Sequence, residues 1–199
     1  MIRSLKTAAK ITAFAGAFAL TGCAFVPVTV HAHYQPPANL AKMPGADKVT
    51  VYVIVKNENK TGNRVSSKKD GFNISMAGVY MHVAKDFKAA ITKALARRGF
   101  HIGEHRTVDV KVIIKRFYLP EQEGLVSQNY SGFASIYVTV YNLKGDSLYK
   151  NEINVADVHT SYLVGGASRT AKILMSSIVN KLVNDNAFIS ALMTCVDGG

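Results

Sequence analysis

Alternating apolar and polar positions predict the strands of this chain. In residues 48–56 every second residue is a valine, from Val49 to Val55, which is the period of a strand with one buried face. Lys144-Gly145-Asp146 separates two longer alternating segments and predicts a hairpin turn between them. The further predicted strands are 107–119, 130–143 and 147–158, with a weaker, short one at 72–78.

A helical period replaces the alternation in two places. Residues 80–98 and 166–184 each carry an apolar stripe at the spacing of an amphipathic helix, and Gly99 is the expected stop of the first. A short helix is predicted over 186–194. Residues 57–71 are polar and rich in turn formers, which predicts an exposed loop. The stripes are Val83, Phe87, Ala90, Ile91, Ala94 and Leu95, then Ala171, Leu174, Met175, Ile178 and Leu182.

The order of these elements predicts the fold class. Strands with one apolar face need a cover on that face, and two amphipathic helices provide it. The sequence therefore predicts an α+β fold. We expect a two-layer sandwich, in which a mainly antiparallel sheet of about four strands is covered on one face by two amphipathic helices.

The N-terminus has the pattern of an export signal. Three basic residues precede the apolar run from Ile11 to Leu20, as in a secretory signal peptide. Leu20-Thr21-Gly22-Cys23 resembles a bacterial lipobox. That resemblance implies cleavage after Gly22 and acylation of Cys23, and Ala24 in place of aspartate favours the outer membrane of a Gram-negative host.

Two other interpretations of this segment stay open. It could be a transmembrane anchor, or a core segment with a buried thiol. A span needs about 20 apolar residues, and Gly16, Gly22 and Pro27 interrupt the run. The predicted organisation is a signal peptide over 1–22, a lipidated N-terminus and flexible, proline-rich tether over 23–46, and one periplasmic domain over 47–195.

Several phrases of the chain resemble the YajG-type family of small bacterial lipoproteins. They are the lipobox at Cys23, the strand "VTVYVIV", the helix end "ALARRGF", the strand "VDVKVIIKRFY", the strand beginning near Tyr130 and the last long helix. The resemblance covers about residues 20–190, and Arg98-Gly99-Phe100 is its most specific part. It implies an envelope location and a fold more than an activity.

Charge and cysteine content narrow the possible partners. The formal net charge of +11 favours anionic surfaces. For an exported protein these are lipid headgroups and anionic envelope polymers rather than nucleic acid, although excess lysine also serves solubility alone. Only Cys23 and Cys195 are present, so acylation of Cys23 would leave no intramolecular disulfide.

The candidates for chemistry are weak. His101, Glu104 and His105 follow a helix stop, where we expect exposed loop residues rather than metal ligands, and His31 and His33 lie in the predicted tether. Gly165-Gly166-Ala167-Ser168 suits a helix start, with Ser168 near the cap, more than an anion site. Nothing near Cys195 orients it as a nucleophile. We therefore expect no enzyme, no metal and no cofactor.

The strongest functional candidate is a sheet face. Tyrosines cluster on and around the predicted hairpin, and Tyr137 and Tyr141 lie opposite its apolar face. With Lys111, Lys115 and Lys150 they could bind a glycan or a protein, whereas ordinary cross-strand pairing is the simpler alternative.

The predicted function is a lipid-anchored periplasmic binding or scaffold protein, whose partners are the membrane and an anionic envelope polymer or envelope protein. An accessory subunit of an envelope transport or secretion complex is the alternative.

Overall fold

The computed structural model describes residues 26–69, 72, 74–123, 128–162 and 165–194. Within them the strands and helices follow the predicted order closely. The strands are β1 Val28–Thr29, β2 Thr50–Asn57, β3 Arg64–Lys69, β4 Ser75–Tyr80, β5 His101–Ile102, β6 Val108–Tyr118, β7 Glu121–Glu123, β8 Gln128–Asn142 and β9 Ser147–Tyr162. The helices are α1 Val83–Arg98, α2 Gly166–Val183 and α3 Asn186–Met193.

Two mixed sheets form the framework. The larger has six strands in the order β5-β2-β6-β8, with β7 and β9 both pairing with β8. In it β2 is parallel to both β5 and β6, whereas β6, β7 and β9 are antiparallel to β8. The smaller sheet has the order β1-β4-β3, with β1 parallel to β4 and β3 antiparallel to it.

The α+β class is confirmed, but the sheet is larger than the predicted four strands and is not purely antiparallel. The parallel pairs arise because, after β3 and β4, α1 carries the chain back to the end of the sheet where β2 begins. From there β5 and β6 run in the same direction as β2, as parallel pairing requires. The helices do cover one face, with α1 on β2 and α2 on β8 and β9.

The core lies between this sheet and the helices. Both predicted helix stripes are buried, and so are the alternating apolar residues of β6 and β8. In the strands these are Val108, Val110, Val112, Ile114, Ala134, Ile136, Val138 and Val140. Phe87 of α1 and Phe117 of β6 meet edge to face, with ring centroids 5.3 Å apart. Gly99 ends α1 in the left-handed region at φ 103°, as expected for a helix stop.

β3 lies where the sequence predicted only an exposed loop. Val65, Ser66 and Ser67 are buried although two of them are polar. The Ser66 hydroxyl donates to the Leu119 carbonyl oxygen, and the Leu119 N–H donates to the Val65 carbonyl oxygen at 2.7 Å. These bonds satisfy the polar groups of a buried strand, which hydropathy alone does not reveal.

Residues 30–46, called the strap below, pack on the domain where the sequence predicted a flexible tether. The Tyr34 hydroxyl donates to Asn180 Oδ1 of α2 at 2.7 Å, and Lys93 Nζ of α1 donates to the Tyr34 carbonyl oxygen at 3.4 Å. The strap thus runs across both long helices. Its buried side chains are Val30, Ala32, Tyr34, Leu40 and Ala46, whose spacing at 30–34 is that of an extended chain with one apolar face.

Arg98 fastens the strap to the ends of α1 and α2. Its guanidinium donates to the Val183 carbonyl oxygen at 2.7 Å, to Asn184 Oδ1 at 2.7 Å and to the Ala41 carbonyl oxygen at 3.3 Å. The planar fork of an arginine can reach three acceptors at once, which lysine cannot.

We expect Arg98→Ala to lower the free energy of unfolding by about 2 kcal/mol, because these charge-assisted bonds are lost together. Urea denaturation measures the loss. Arg97→Ala is the matched control, because Arg97 makes one exposed bond to the Ala38 carbonyl oxygen, and it should cost less than half as much. Equal losses for the two variants would contradict the role given to Arg98.

Candidate functional site

The face of the six-stranded sheet opposite the helices, called the outer face below, brings the predicted residues together. Strand register places Lys111, Thr139 and Lys150 side by side across β6, β8 and β9. The neighbouring rows hold Ile113, Tyr137 and Glu152, then Asp109, Tyr141 and Ser147. The face therefore has basic side chains in one row with a tyrosine in each row beside it.

The two predicted tyrosines, Tyr137 and Tyr141, are half-buried. Lys150 Nζ is 5.7 Å from the centroid of the Tyr137 ring, a cation–π distance. Ser135 Oγ donates to Glu152 Oε1 at 2.7 Å on the same face. The Lys150 contact helps to hold the Tyr137 ring in place before any partner arrives, which lowers the entropy lost on binding.

Lys115 has a partner within the chain. Its Nζ is 2.7 Å from Glu58 Oε2, and Lys56 Nζ is 2.9 Å from the other oxygen of that carboxylate. Hydrogen bonds from Lys115 and then Lys56 lower the pKa of Glu58 to about 2. The positive charge at this end of the outer face is thus partly neutralised, whereas Lys111 and Lys150 lie farther along it.

This pair gives a pH-dependent expectation. The pKa of Glu58 is lower in the folded state, so its stabilising contribution is present above the unfolded value near 4.5 and is lost as the pH falls toward 2. In a pH titration followed by carboxyl NMR, Lys115→Gln should raise the pKa of Glu58 toward its ordinary value. Lys111→Gln is the control and should leave it unchanged. An unchanged pKa in Lys115→Gln would contradict the pair.

Sequence reasoning missed part of the outer face. Because β2 lies beside β6, Tyr52 and Ile54 join the same surface, next to Asp109 and Lys111. Ile54 is 41% exposed, on the side of β2 opposite its buried valines. The alternation of β2 had placed both residues opposite its valines, so the signal existed, but only the pairing with β6 shows which surface they extend.

Two tyrosines of the hairpin point away from the outer face. Tyr130 and Tyr149 are buried, and the Tyr149 hydroxyl donates to Asp185 Oδ2 at 2.7 Å. Burial raises the pKa of Tyr149 to about 12. Asp185 caps α3 by accepting hydrogen bonds from the Ala187 and Phe188 N–H groups. Tyr149 therefore contacts the helices rather than the outer face.

The histidine candidates do not converge on a metal site. His101, Glu104 and His105 are exposed after α1, as expected. His31 lies between His33 and His82, with ring centroids 5.9 Å and 6.3 Å away. In the described part of the chain, no three histidine, cysteine, aspartate or glutamate side chains are arranged to hold a metal ion.

One carboxyl group lies among the histidines of the strap. Burial raises the pKa of Asp86, and the nearby His31, His82 and His33 oppose that rise. Oδ2 of this residue is buried without a hydrogen-bond partner. The cluster joins the strap to the first turn of α1 and gives it a polar contact beside its apolar ones.

The glycine-rich start of α2 lines an open pocket of about 490 Å³, together with His31, Lys68 and Val79. Gly165 precedes the helix at φ 71°, and no side chain caps it. Ser168 was expected near the cap. Its hydroxyl instead donates to the His31 carbonyl oxygen at 3.4 Å, so it helps to hold the strap.

Both cysteines lie outside the described residues, so the expectations for Cys23 and Cys195 stay predictions. The signal peptide over 1–22 and the alternative of a transmembrane anchor fall in the same region. Among the helices that the structure describes, none combines the length and apolar character that a membrane crossing needs.

Comparison with solved structures finds proteins of similar fold, of which the first supports the architecture. Protein XCC0632 from Xanthomonas campestris is similar, with a TM-score of 0.53 at 7% identity, over 85% of this chain and 96% of that one. A Helicobacter pylori homolog of a neuraminyllactose-binding hemagglutinin has a TM-score of 0.42 at 11% identity, over 83% and 97%. Lipoprotein GNA1162 from Neisseria meningitidis has a TM-score of 0.39 at 9% identity, over 69% and 99%.

Comparison of sequences identifies the family. No curated protein matches the chain. The family model described as "Uncharacterized lipoprotein" matches residues 36–193, which is most of the chain and includes Arg98-Gly99-Phe100, α1, α2 and the hairpin. The resemblance to YajG-type proteins is thereby confirmed. The chain belongs to this family of bacterial lipoproteins.

Proposed function

We propose that this protein is a lipid-anchored envelope lipoprotein that binds a partner through its outer face and carries out no catalysis. The observation that carries the proposal is the outer face itself. It presents Tyr137, Tyr141 and exposed Ile54 beside Lys111 and Lys150, on a sheet whose other face is covered by helices. A rigid surface of this kind is suited to recognition.

The chemistry of the outer face favours an anionic partner. Tyrosines offer a large contact area with little entropy to lose, and they are enriched where binding energy concentrates. Lysines attract anionic polymers and steer them toward the surface. We propose an anionic envelope polymer, or an envelope protein with an acidic surface, as the partner.

Membership of a lipoprotein family supports the proposed anchor. The lipobox at Cys23 is the position for acylation after removal of residues 1–22, and Ala24 favours the outer membrane, on its periplasmic side. Two or more acyl chains hold a protein stably on a bilayer. Anchoring would keep the outer face where envelope polymers are concentrated.

The test uses the mature lipoprotein in detergent, mixed with a delipidated envelope fraction that is collected by centrifugation. Removing the lipid makes the outer face, rather than the anchor, responsible for retention. We expect the wild-type protein to pellet, and we expect Tyr137→Ala/Tyr141→Ala to lose about tenfold in retention, as when two interface anchors are removed. Tyr80→Ala is the matched control, because Tyr80 is 40% exposed on β4, outside the outer face.

Protease treatment of the envelope fraction distinguishes the partners. Retention that survives it supports a polymer, whereas retention that disappears supports an envelope protein, as in an accessory subunit of a larger complex. Circular dichroism confirms that the double variant is folded. Equal retention of the double variant and the wild type would contradict binding through the outer face.

A further inference from the structure

We propose that one end of the small sheet touches the bilayer and holds the domain in a fixed orientation on it. This end, called the tip below, comprises Val26, Lys68, Phe72 and Ile74. The inference rests on the proposed lipid anchor at Cys23 and goes beyond it. It assigns a second membrane contact, made by side chains of the folded domain.

The tip gathers exposed apolar side chains. Phe72 is 87% exposed, Ile74 60% and Val26 56%. Isolated apolar residues on a surface are ordinary, but several together mark a site of interaction. An aromatic ring with aliphatic neighbours is the composition of segments that enter the interfacial region of a bilayer.

Strand pairing puts Val26 and Lys68 toward the end of the small sheet where β4 begins, and Phe72 and Ile74 lie in the chain between β3 and β4. β1 runs parallel to β4, with Val28 beside Val79, so the chain before β1 lies at the end where β4 begins. The antiparallel pair of β3 and β4 brings Lys68 beside Ala77 at the same end. Lys68 Nζ donates to the Val26 carbonyl oxygen at 3.2 Å, which joins the start of the described chain to the end of β3.

The short length of chain between Cys23 and Val26 identifies the bilayer as the surface that the tip contacts. Val26 follows Cys23 by three positions, with only Ala24 and Phe25 between them, and three residue steps span at most about 10 Å. A lipid on Cys23 would therefore hold Val26 within about that distance of the membrane surface. The strap gives no further slack, because alternate side chains from Val30 to Tyr34 are buried in the core.

Charge agrees with a lipid surface without dominating the contact. Residues 68–74 contain two lysines and one aspartate, so the segment carries a small positive charge. Lysines close to an anionic leaflet are attracted to it. The apolar side chains supply the larger share, so we expect the contact to persist on weakly charged membranes.

Tryptophan fluorescence tests the tip, because the chain contains no tryptophan. The mature lipoprotein carrying Phe72→Trp is reconstituted into vesicles of phosphatidylethanolamine and phosphatidylglycerol, with and without bromine on the acyl chains. The matched control is Leu143→Trp. Leu143 is 68% exposed just after Asn142, which pairs with Val108 at the end of the large sheet where β6 begins.

We expect the emission of Phe72→Trp to shift to shorter wavelength and to be quenched by the brominated lipid. The emission of Leu143→Trp should stay that of a tryptophan in water. If the protein floats with the vesicles and both variants emit alike, the tip is not in the bilayer and the inference is overturned. The same holds if Phe72→Trp shifts only when a protein partner is added.

Flotation of the vesicles separates this result from the proposed anchor. A protein that does not float with the vesicles contradicts the lipid anchor. Without the anchor nothing holds the tip close to a membrane, so this result would overturn the inference together with the anchor.

Discussion

Cys23→Ser is expected to abolish incorporation of a fatty acid into this protein. Acylation requires the thiol, and serine offers only a hydroxyl of much lower nucleophilicity at neutral pH. A single acyl chain binds a membrane marginally and two bind it stably, so anchoring depends on this one residue. Labelling of growing cells with a fatty-acid analogue, followed by capture of the protein, measures the effect.

Cys195→Ser is the control for this experiment, because it removes the other thiol of the chain. It should be labelled like the wild type. Label that remains in Cys23→Ser would contradict acylation at this position. So would an intact mass of the native protein that shows an unmodified Cys23 with residues 1–22 still attached.

Phe87→Ala is expected to have the largest effect on stability, a loss of about 3–5 kcal/mol in the free energy of unfolding. Phe87 is fully buried and packs against Phe117, so truncation removes an edge-to-face contact and leaves a cavity between α1 and β6. Domains are typically stable by about 5–15 kcal/mol, so the variant would approach unfolding. Urea denaturation provides the measurement.

Phe87→Leu serves as the conservative comparison. Leucine keeps most of the apolar volume, and we expect a loss of about 1 kcal/mol, because the neighbours can close around it. Similar losses for the two variants would show that the helix layer relaxes freely and would contradict the rigid contact between the two rings.

The secondary structure was largely predictable because its signals are local. The valines of β2 and β6 alternate without interruption, and the stripes of α1 and α2 end at Gly99 and near Asn184. The pairing of the strands was harder to predict from the sequence. Alternation shows that β2 has one buried face, but the parallel pairing with β6 depends on the path of the chain through α1.

The strap and β3 were missed for a different reason. Prolines such as Pro36 and Pro44 occur equally in a mobile tether and in an extended segment that is docked on a domain. Only the positions of its partners on α1 and α2 distinguish the two. In β3, Ser66 and Ser67 are buried because the fold supplies hydrogen-bond partners, among them the distant Leu119 carbonyl oxygen for Ser66.

The sequence predicted the central residues of the outer face but not the residues at its edge. Tyr137 and Tyr141 follow from the alternation of β8, and Lys111 from that of β6. Tyr52 and Ile54 join them only because β2 is the neighbour of β6. Alternation in the sequence therefore predicts which residues of each strand share a face. Which strands together form one surface depends on the strand order, which alternation does not give.

The strap also bears on the order in which the chain acquires its structure. Tyr34 and His31 bond to residues 146 and 137 positions later, near the other end of the chain. Contacts between such distant positions form late, because closing a long loop carries an entropic cost. If the chain is exported and lipidated as proposed, we therefore expect the segment next to Cys23 to stay undocked until α2 has crossed the membrane and folded. That would leave a period in which the N-terminus is accessible to acylating enzymes.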